Sequence, residues 1–248
     1  MFQRRPLAAL IGLILCGSAE SLLFYFGFAK RYSLMQYGDF HRQSIGTLNQ
    51  FSNDGALLYI FTFALLFACY WLGYRLIHRI SGREFLIIIV TFSVLFNLIM
   101  VWMYPADASD IYDYIIRGRM TAVYGLNPLK DTPQQVQQDS FYSFISYHYV
   151  SSAYGPLWET LAGLASRIAG DDHTSNVMTF KLLAISGYAL ASLFVGLTLL
   201  TIAPRRMLSG VYLWMWNPLL IFMTAGIGHH DALVAATIAL ALYCLVRS

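Results

Sequence analysis

The chain has 248 residues, of which 58% are hydrophobic and only 12% are charged, with a formal net charge of +3 and a mean hydropathy of +0.56. Soluble domains carry about 25% charged residues, so this composition excludes an ordinary soluble protein. The small net charge says little by itself, and we expect no nucleic-acid partner.

Long apolar runs recur along the chain, and each predicts a helix that crosses a membrane in roughly 20 residues. The six predicted spans are 7–29, 56–77, 85–104, 176–202, 207–224 and 231–246. The first has a basic start but no good small-residue cleavage site, so we expect a retained span rather than a signal peptide. The three cysteines lie inside apolar runs without metal-ligand spacing, which predicts neither a disulfide nor a zinc site.

Glu20 lies in the middle of the first predicted span. An ionisable residue there is costly, and by default it suggests a functional site. We expect the Glu20 carboxyl to be neutral or paired rather than directly catalytic, with Lys181 of the fourth span as the candidate partner.

A seventh apolar segment, 155–170, is short and carries Glu159 and Arg167. If it does not cross and the N-terminus is cytoplasmic, the cytoplasmic segments hold eight basic residues and one acid, which agrees with the positive-inside rule. If it crossed, Arg205 and Arg206 would move outside. We therefore expect a half-buried or re-entrant amphipathic helix, and its apolar face consists of Leu157, Leu161, Leu164 and Ile168.

This topology predicts one large external loop, from about 105 to 175, with the GIGHHD stretch at 226–231 on the same side of the membrane. Polar clusters in these two regions could then line one cavity. The rejected topology would place them on opposite faces of the membrane.

The stretch 109–128 reads SDIYDYIIRGRMTAVYGLNP and predicts a helix on the outer membrane surface. Ser109 can cap it, and Gly125 with Asn127-Pro128 ends it. Its polar face consists of Asp110, Asp113, Tyr114 and Arg117, at i, i+3, i+4 and i+7. The side chains that we expect to face lipid are Ile111, Ile115, Ile116 and Met120.

Asp113 and Arg117 have a simpler interpretation, because an i, i+4 ion pair on a solvated face contributes only about 0.2–0.5 kcal/mol. Asp110 is less easily dismissed. It lies near the start of the helix, where the helix dipole keeps a carboxylate ionised. An ionised carboxylate at the membrane boundary can accept a proton from a hydroxyl group, as the base of a glycosyl transfer must.

The stretch WNPLLIFMTAGIGHHDAL at 216–233 places two histidines and an aspartate at the outer membrane edge. Gly226 and Gly228 allow close backbone approach, and His229, His230 and Asp231 suit the binding of a phosphate or polar ligand. The alternative is an interfacial loop in which Asp231 caps the following helix. No third and fourth ligand has zinc spacing, so we expect no metal.

The stretch YGPLWE at 154–159 places Pro156 in the first turn of a helix. Tyr154 and Trp158 suit the headgroup region as aromatic anchors, and that structural role alone could account for them.

Together, DIYDYIIRGRMTAVYGLNP, YGPLW and WNPLLIFMTAGIGHHDAL resemble three motifs of the GT-C class of integral-membrane glycosyltransferases, in the family's order. They are most similar to the polyprenol-phosphate-mannose-dependent α-mannosyltransferases of bacteria. The resemblance covers about 105 to 240. The chain departs from the family at Ser109, where relatives often have a second acid, and at His230, where they have asparagine.

The resemblance implies an all-α polytopic membrane fold and an inverting hexosyltransferase, acting at the external face of the bacterial plasma membrane. A polyprenyl-phosphate sugar, with mannose as the expected sugar, would be the donor. The acceptor would be a glycan or a lipid-linked glycan. No cofactor and no metal are expected. Spans four to six and the 155–170 helix would hold the polyprenyl chain in a lateral groove.

Asp110 is the implied general base. The implied substrate-binding residues are Asp113, Tyr114, Arg117, Arg119, Asn127, Tyr154, Trp158, His229, His230 and Asp231. Relatives are longer, so we expect residues 1–248 to be one GT-C-like module, forming the N-terminal part of a larger protein or one part of a split enzyme.

Two other function classes remain open. A transporter or flippase for a lipid-linked or polar solute is favoured by the intramembrane Glu20 and Lys181, although the charges concentrate outside rather than near the midplane. A noncatalytic scaffold would have no reason to gather Asp110 and the histidines on one side. The enzyme hypothesis requires Asp110 to lie close to His229 or His230.

Overall fold

The computed structural model describes residues 4–37, 43–78, 82–106 and 109–248, with the side chains of residues 4–6 excepted. The helices are α1 (Arg4–Phe24), α2 (Leu34–Tyr37), α3 (Ile45–Leu48), α4 (Asn53–Ile77), α5 (Arg83–Met100), α6 (Asp110–Ala122), α7 (Pro156–Ala169), α8 (His173–Ile202), α9 (Met207–Met215), α10 (Pro218–Ile221) and α11 (Asp231–Arg247). The described residues form no strand, only an isolated bridge between Ser33 and Met103. The all-α prediction is confirmed.

Four helical segments are long and apolar enough to cross a membrane, as the polytopic prediction requires. They are Leu7–Ala29, Asn53–Ile77, Arg83–Met100 and His173–Ile202. The pair Pro204–Met215 and Pro218–Ile227 qualifies as a fifth span, bent by 46°. The predicted sixth span corresponds to α11, which has 17 residues and packs along α8.

The bend in the fifth span follows from Asn217-Pro218. Proline has no N–H to donate, and it takes the first helical position of α10. The Asn217 side-chain oxygen accepts hydrogen bonds from the N–H groups of Leu219 (3.0 Å) and Leu220 (3.4 Å), which caps the new helix. The second half of the span then continues as a π-helix from Phe222 to Ile227.

The predicted pair between Glu20 and Lys181 is wrong. The Lys181 Nζ atom donates to the main-chain oxygens of Val101 (3.1 Å) and Met103, just beyond the end of α5. Carbonyl groups at a helix C-terminus lack intrahelical partners, so this buried lysine satisfies them. Both carboxyl oxygens of Glu20 are buried without a hydrogen-bond partner.

The helix α6 is buried from Ile111 to Met120, so the prediction that its isoleucines and Met120 face lipid is wrong. Ile111, Ile115, Ile116 and Met120 all belong to the core. The reason is tertiary packing, because α7, α8 and the loop helices at 133–136 and 142–144 all contact α6. Gly125 follows the helix at a φ of +67°, as predicted. Ser109 precedes it, but its hydroxyl pairs with Ser146 (3.2 Å) instead of capping.

The helix α7 has the two faces that its sequence predicts. Leu157, Leu164 and Ile168 are exposed on one face, where they can lie against lipid. Ala162, Ala165 and Ser166 are buried on the other. This face of small residues lets α7 lie directly on α6 and hold it in place.

Gly118 is the point of closest approach between α6 and α7. A Cβ atom added there would lie 2.4 Å from the main-chain oxygen of Ala162 and 2.5 Å from the Ser166 hydroxyl. The same addition at Gly163, in the same helix pair, would meet only the Thr121 side chain, at 3.3 Å.

We predict that Gly118→Ala lowers the free energy of unfolding by about 1–3 kcal/mol, because the methyl group must push the α7 backbone away. Gly163→Ala is the matched control and should cost less than half as much, since only a side chain has to yield. Thermal unfolding of the purified protein in one detergent measures both. Equal melting temperatures for the two variants would contradict this packing of α6 on α7.

Candidate functional site

The three sequence motifs meet at one end of the helix bundle. The loop before α11 turns at Gly228, whose φ of +85° suits glycine. A Cβ atom at Gly228 would lie 2.5 Å from Ile111 of α6 and 3.3 Å from the Lys181 side chain. This close contact places His229 and His230 against the first turn of α6.

Asp110 and His229 form the open part of this site. The His229 Nδ1 atom lies 3.6 Å from Asp110 Oδ2 and 3.5 Å from Asp231 Oδ2. These separations suit ion pairs and exceed hydrogen-bond lengths. The Asp110 side chain is 36% exposed and His229 is 14% exposed, so a ligand can reach the carboxylate. Asp110 and His229 are therefore neighbours, as the enzyme hypothesis requires.

His230 lies in an aromatic cage. Its Nδ1 atom is 2.8 Å from the Tyr114 hydroxyl. Its ring centroid lies 4.6 Å from that of Trp158, 4.6 Å from that of Tyr154 and 5.0 Å from that of Tyr114. Burial lowers the pKa of His230, which favours the neutral imidazole. Trp158 is buried, and its interpretation as a headgroup anchor is therefore wrong.

Behind Asp110 lies a buried charged cluster made of Asp113, Arg117 and Glu159. The guanidinium of Arg117 donates two hydrogen bonds to the main-chain oxygen of Val150 (3.2 and 3.1 Å). The Glu159 carboxylate accepts a hydrogen bond from the Ser152 hydroxyl. Asp113 is 3% exposed and Arg117 is 4% exposed, so their interpretation as a solvated surface pair is wrong.

Burial raises the pKa of Asp113 to about 6, while the Arg117 charge acts in the opposite direction and Asp110 reinforces the rise. The backbone N–H groups of Ser146 and Tyr147 also favour the ionised form, although neither carboxylate oxygen has a hydrogen bond of good geometry. Burial raises the pKa of Glu159 as well.

Sequence reasoning assigned no site role to Glu159. The sequence does hold one indication of such a role. Glu159 is a carboxylate on the buried face of α7, opposite the exposed leucines, and this buried face packs on α6.

Arg119 and Asn127 make their contacts with residues outside the Asp110–His229 pair. Arg119 pairs with Asp139 (2.8 Å) and Asp171 (3.0 Å) and donates to the Gly170 oxygen (3.0 Å). The exposed Asn127 accepts a hydrogen bond from the Leu129 N–H (3.1 Å), which shapes its own loop. Both retain a predicted role in substrate binding, but within the described part of the chain no contact joins either side chain to the Asp110–His229 pair.

No group of three or more His, Cys, Asp or Glu side chains in the described part of the chain could hold a metal ion.

An apolar groove of about 480 Å³ runs between α5, α8 and α9. It extends along α8 from Leu182 to Leu200, a distance of about 27 Å at 1.5 Å per residue. At one end it is lined by Val101, whose carbonyl oxygen accepts the Lys181 hydrogen bond. Because Lys181 also packs against Gly228, the groove ends close to the loop that carries His229.

The chain matches the model of a known family. The family described as "Alpha-(1->6)-mannopyranosyltransferase, N-terminal domain" matches residues 14–248. No curated protein and no solved structure matches the chain.

The raised pKa of Asp113 predicts a pH dependence of stability. Because the folded-state pKa of about 6 exceeds the ordinary value of 3.8, the folded state binds the proton more tightly. The stability from this group is present below pH 3.8 and is lost as the pH rises through 6. We expect Asp113→Asn to gain stability relative to the wild type by about 2 kcal/mol between pH 4 and pH 7.

Urea unfolding at several pH values, in a fixed detergent, measures this difference. Asp131→Asn is the control, since Asp131 lies on an exposed loop. A stability difference between Asp113→Asn and the wild type that stays constant from pH 4 to pH 7 would contradict the assignment.

Proposed function

The chain belongs to the alpha-(1->6)-mannopyranosyltransferase family and is a glycosyltransferase of the membrane, and from this premise we propose that it transfers mannose from a polyprenyl-phosphate donor to a glycan or lipid-linked acceptor, with inversion at the anomeric carbon. The observation that carries the proposal is the partly exposed Asp110 carboxylate beside His229, at the meeting point of the three motifs.

Asp110 acts as the general base in this mechanism. Its carboxylate takes the proton from an acceptor hydroxyl, while that oxygen attacks the anomeric carbon of the donor sugar. The bond between the anomeric carbon and the phosphate oxygen breaks, and the phosphate leaves with both bonding electrons. Attack from the face opposite the phosphate converts a β-linked donor into an α-linked product, through an oxocarbenium-like transition state.

Donors beside Asp110 would stabilise the charge on the departing phosphate. His229 is the best placed, because it lies at the open edge of the site. His230 is more enclosed and already bonded to Tyr114, which suits it to positioning. Arg117 and Arg119 are engaged by protein groups, so a direct contact of either with phosphate would require these bonds to exchange.

The apolar groove is suited to the polyprenyl chain of the donor. It lies between α5, α8 and α9, so the fourth and fifth spans line it as the sequence predicted, while α5 takes the place expected for the sixth span and α7. An isoprenoid chain in the groove would bring its phosphate toward Lys181 and the Gly228 loop, and hence toward Asp110.

We further propose that the site faces the exterior of the bacterial plasma membrane, with the N-terminus in the cytoplasm. The distribution of basic residues supports this orientation. Participation of a further C-terminal portion or a partner subunit fits the description of the matched region as an N-terminal domain.

The transporter hypothesis has less support. Lys181 is fixed by two main-chain oxygens, so it offers no free charge along a transport path. Glu20 alone remains, within the described residues, as an intramembrane carboxyl group without a hydrogen-bond partner.

We predict that Asp110→Asn abolishes mannose transfer from polyprenyl-phosphate-mannose, because the amide cannot accept the acceptor proton. A loss of at least ~100-fold in kcat is expected for removal of a general base. Transfer in nanodiscs by the longest natural form of the chain measures it. Asp54→Asn, on an exposed residue at the start of α4, is the matched control. Equal transfer by Asp110→Asn and wild type would remove Asp110 as the base.

The groove makes a second prediction. Ala189 lines it, and Ala189→Trp would fill part of its volume. We expect the KM for a long-chain polyprenyl donor to rise about tenfold, the effect of roughly 1.4 kcal/mol of lost contact, while a short-chain donor is little affected. Ala64→Trp, on the exposed side of α4, controls for a bulky residue in the lipid-facing surface. The same change for both donor lengths would contradict a lipid-binding role.

A further inference from the structure

A neutral stretch rich in serine and tyrosine directly precedes α7 and contacts the buried charged cluster. Residues 140–155, here called the Tyr-Ser segment, read SFYSFISYHYVSSAYG, with five serines, four tyrosines and no Asp, Glu, Lys or Arg. Tyrosine offers a large, rigid, amphipathic surface, and serine offers adaptable hydrogen bonds, which is why both are enriched in binding loops. This composition suits a neutral ligand with many hydroxyl groups.

The buried charged cluster holds the backbone of this segment. Arg117 binds the Val150 oxygen, Glu159 binds the Ser152 hydroxyl, and the N–H groups of Ser146 and Tyr147 lie near the Asp113 carboxylate. All three charged residues are buried, and each acts at a different position along the segment. The segment is therefore a fixed surface rather than a loose loop.

Further backbone hydrogen bonds support the same arrangement. The Ser152 N–H donates to the Pro128 oxygen (2.7 Å), and the Gln134 N–H donates to the His148 oxygen (3.0 Å). Phe141 and Phe144 anchor the start of the segment in the core, where the Phe141 ring stacks on His173 and the Phe144 ring lies tilted against it.

Two tyrosines project from this fixed backbone. Tyr147 is 57% exposed and Tyr149 is 72% exposed, with exposed Ser146 and Val150 beside them. We call this surface the tyrosine ledge. The backbone that carries it lies close to the candidate base, because the Ser146 hydroxyl is 3.2 Å from the hydroxyl of Ser109, the residue before Asp110.

We propose that the tyrosine ledge, formed by Tyr147 and Tyr149, binds a sugar ring of a neutral saccharide acceptor and presents the acceptor hydroxyl to Asp110. This assignment rests on the proposed function. A pyranose ring has an apolar C–H face that packs on an aromatic ring, while its hydroxyl groups bind nearby serines and main-chain groups. The absence of charge in the segment favours a neutral glycan over the phosphate end of the donor.

Because its backbone is already held, the ledge loses little freedom when a saccharide binds. Donor and acceptor then bind to two different surfaces of the protein. The donor lipid would occupy the groove between α5, α8 and α9, and the acceptor would occupy the ledge on the other side of Asp110.

The test measures acceptor KM separately from turnover. Tyr147→Ala, Tyr149→Ala and the double variant are compared with wild type, using polyprenyl-phosphate-mannose at saturation and an α-1,6-linked mannose oligosaccharide as acceptor. We expect the acceptor KM to rise about tenfold for each ring removed, as for one well-packed aromatic contact. The release of free mannose without acceptor should not change. Tyr149→Phe keeps the ring and should stay within about threefold of wild type.

Phe51→Ala is the control, since Phe51 is an exposed aromatic residue on a different loop. An unchanged acceptor KM in the double variant, with wild-type transfer intact, would overturn the ledge and leave the proposed function standing. The proposed role of the ledge would also be contradicted if the variants differed from wild type only in how well they reconstitute into bilayers. The tyrosines would then be membrane anchors.

If wild type transfers no mannose, the proposed function fails, and the ledge is tested by binding alone. Saturation-transfer NMR with the same oligosaccharide should then give a signal with wild type that the double variant loses. An equal signal from both, or no signal from wild type, would overturn the ledge.

Discussion

The close contact between Gly228 and α6 is the constraint on which the site depends. There is no room for a side chain at this point, because a Cβ atom would meet Ile111 at 2.5 Å. The contact brings the loop of the fifth span against the first turn of α6, so His229 meets Asp110 and His230 enters the cage of Tyr114, Tyr154 and Trp158. Lys181 reinforces it by packing beside Gly228 while it binds the carbonyl groups beyond α5.

The buried charged cluster gives the site its second constraint. Burying Asp113, Arg117 and Glu159 removes three charges from water, which is costly unless each charge has partners. Arg117 and Glu159 find their partners in a chain segment with little regular secondary structure, so the contacts that offset their burial cost also define the path of residues 150–152. The carboxylate oxygens of Asp113 have no such partner, and its burial cost appears as the raised pKa. Rigidity near Asp110 is thus a consequence of charge burial, and it fits a site that must align two substrates.

The sequence alone predicted the all-α membrane fold, the positions of the main apolar helices and the two faces of α7. These follow from hydrophobic length and helical periodicity, which are local properties. Charge spacing in the 109–128 stretch also placed Asp113, Tyr114 and Arg117 on the inner side of one helix. The three motif stretches then identified the residues that the fold gathers around His230.

The environments of several residues depend on tertiary contacts, which local sequence patterns do not predict. Ile111 and Ile115 have the spacing of a lipid-facing stripe, but α8 and the loop cover them. Lys181 had an opposite charge available in Glu20, yet the unsatisfied carbonyl groups beyond α5 are its partners. In the sequence Glu159 is a single carboxylate in an amphipathic helix, which does not by itself indicate a site. Its contact with Ser152 depends on the path of a loop, and hydrophobic periodicity does not predict that path.

The arrangement separates three physical environments within a short distance of Asp110. An apolar groove leads toward Asp110 from the membrane-spanning helices, an open carboxylate and imidazole lie at the centre, and a neutral aromatic surface continues beyond. The transfer that we propose would need all three, because no single environment stabilises a polyprenyl chain, a departing phosphate and a glycan. The concentration of charge in α6 therefore reflects its position at the boundary between these environments, where it packs against α8 on one side and holds the Tyr-Ser segment on the other.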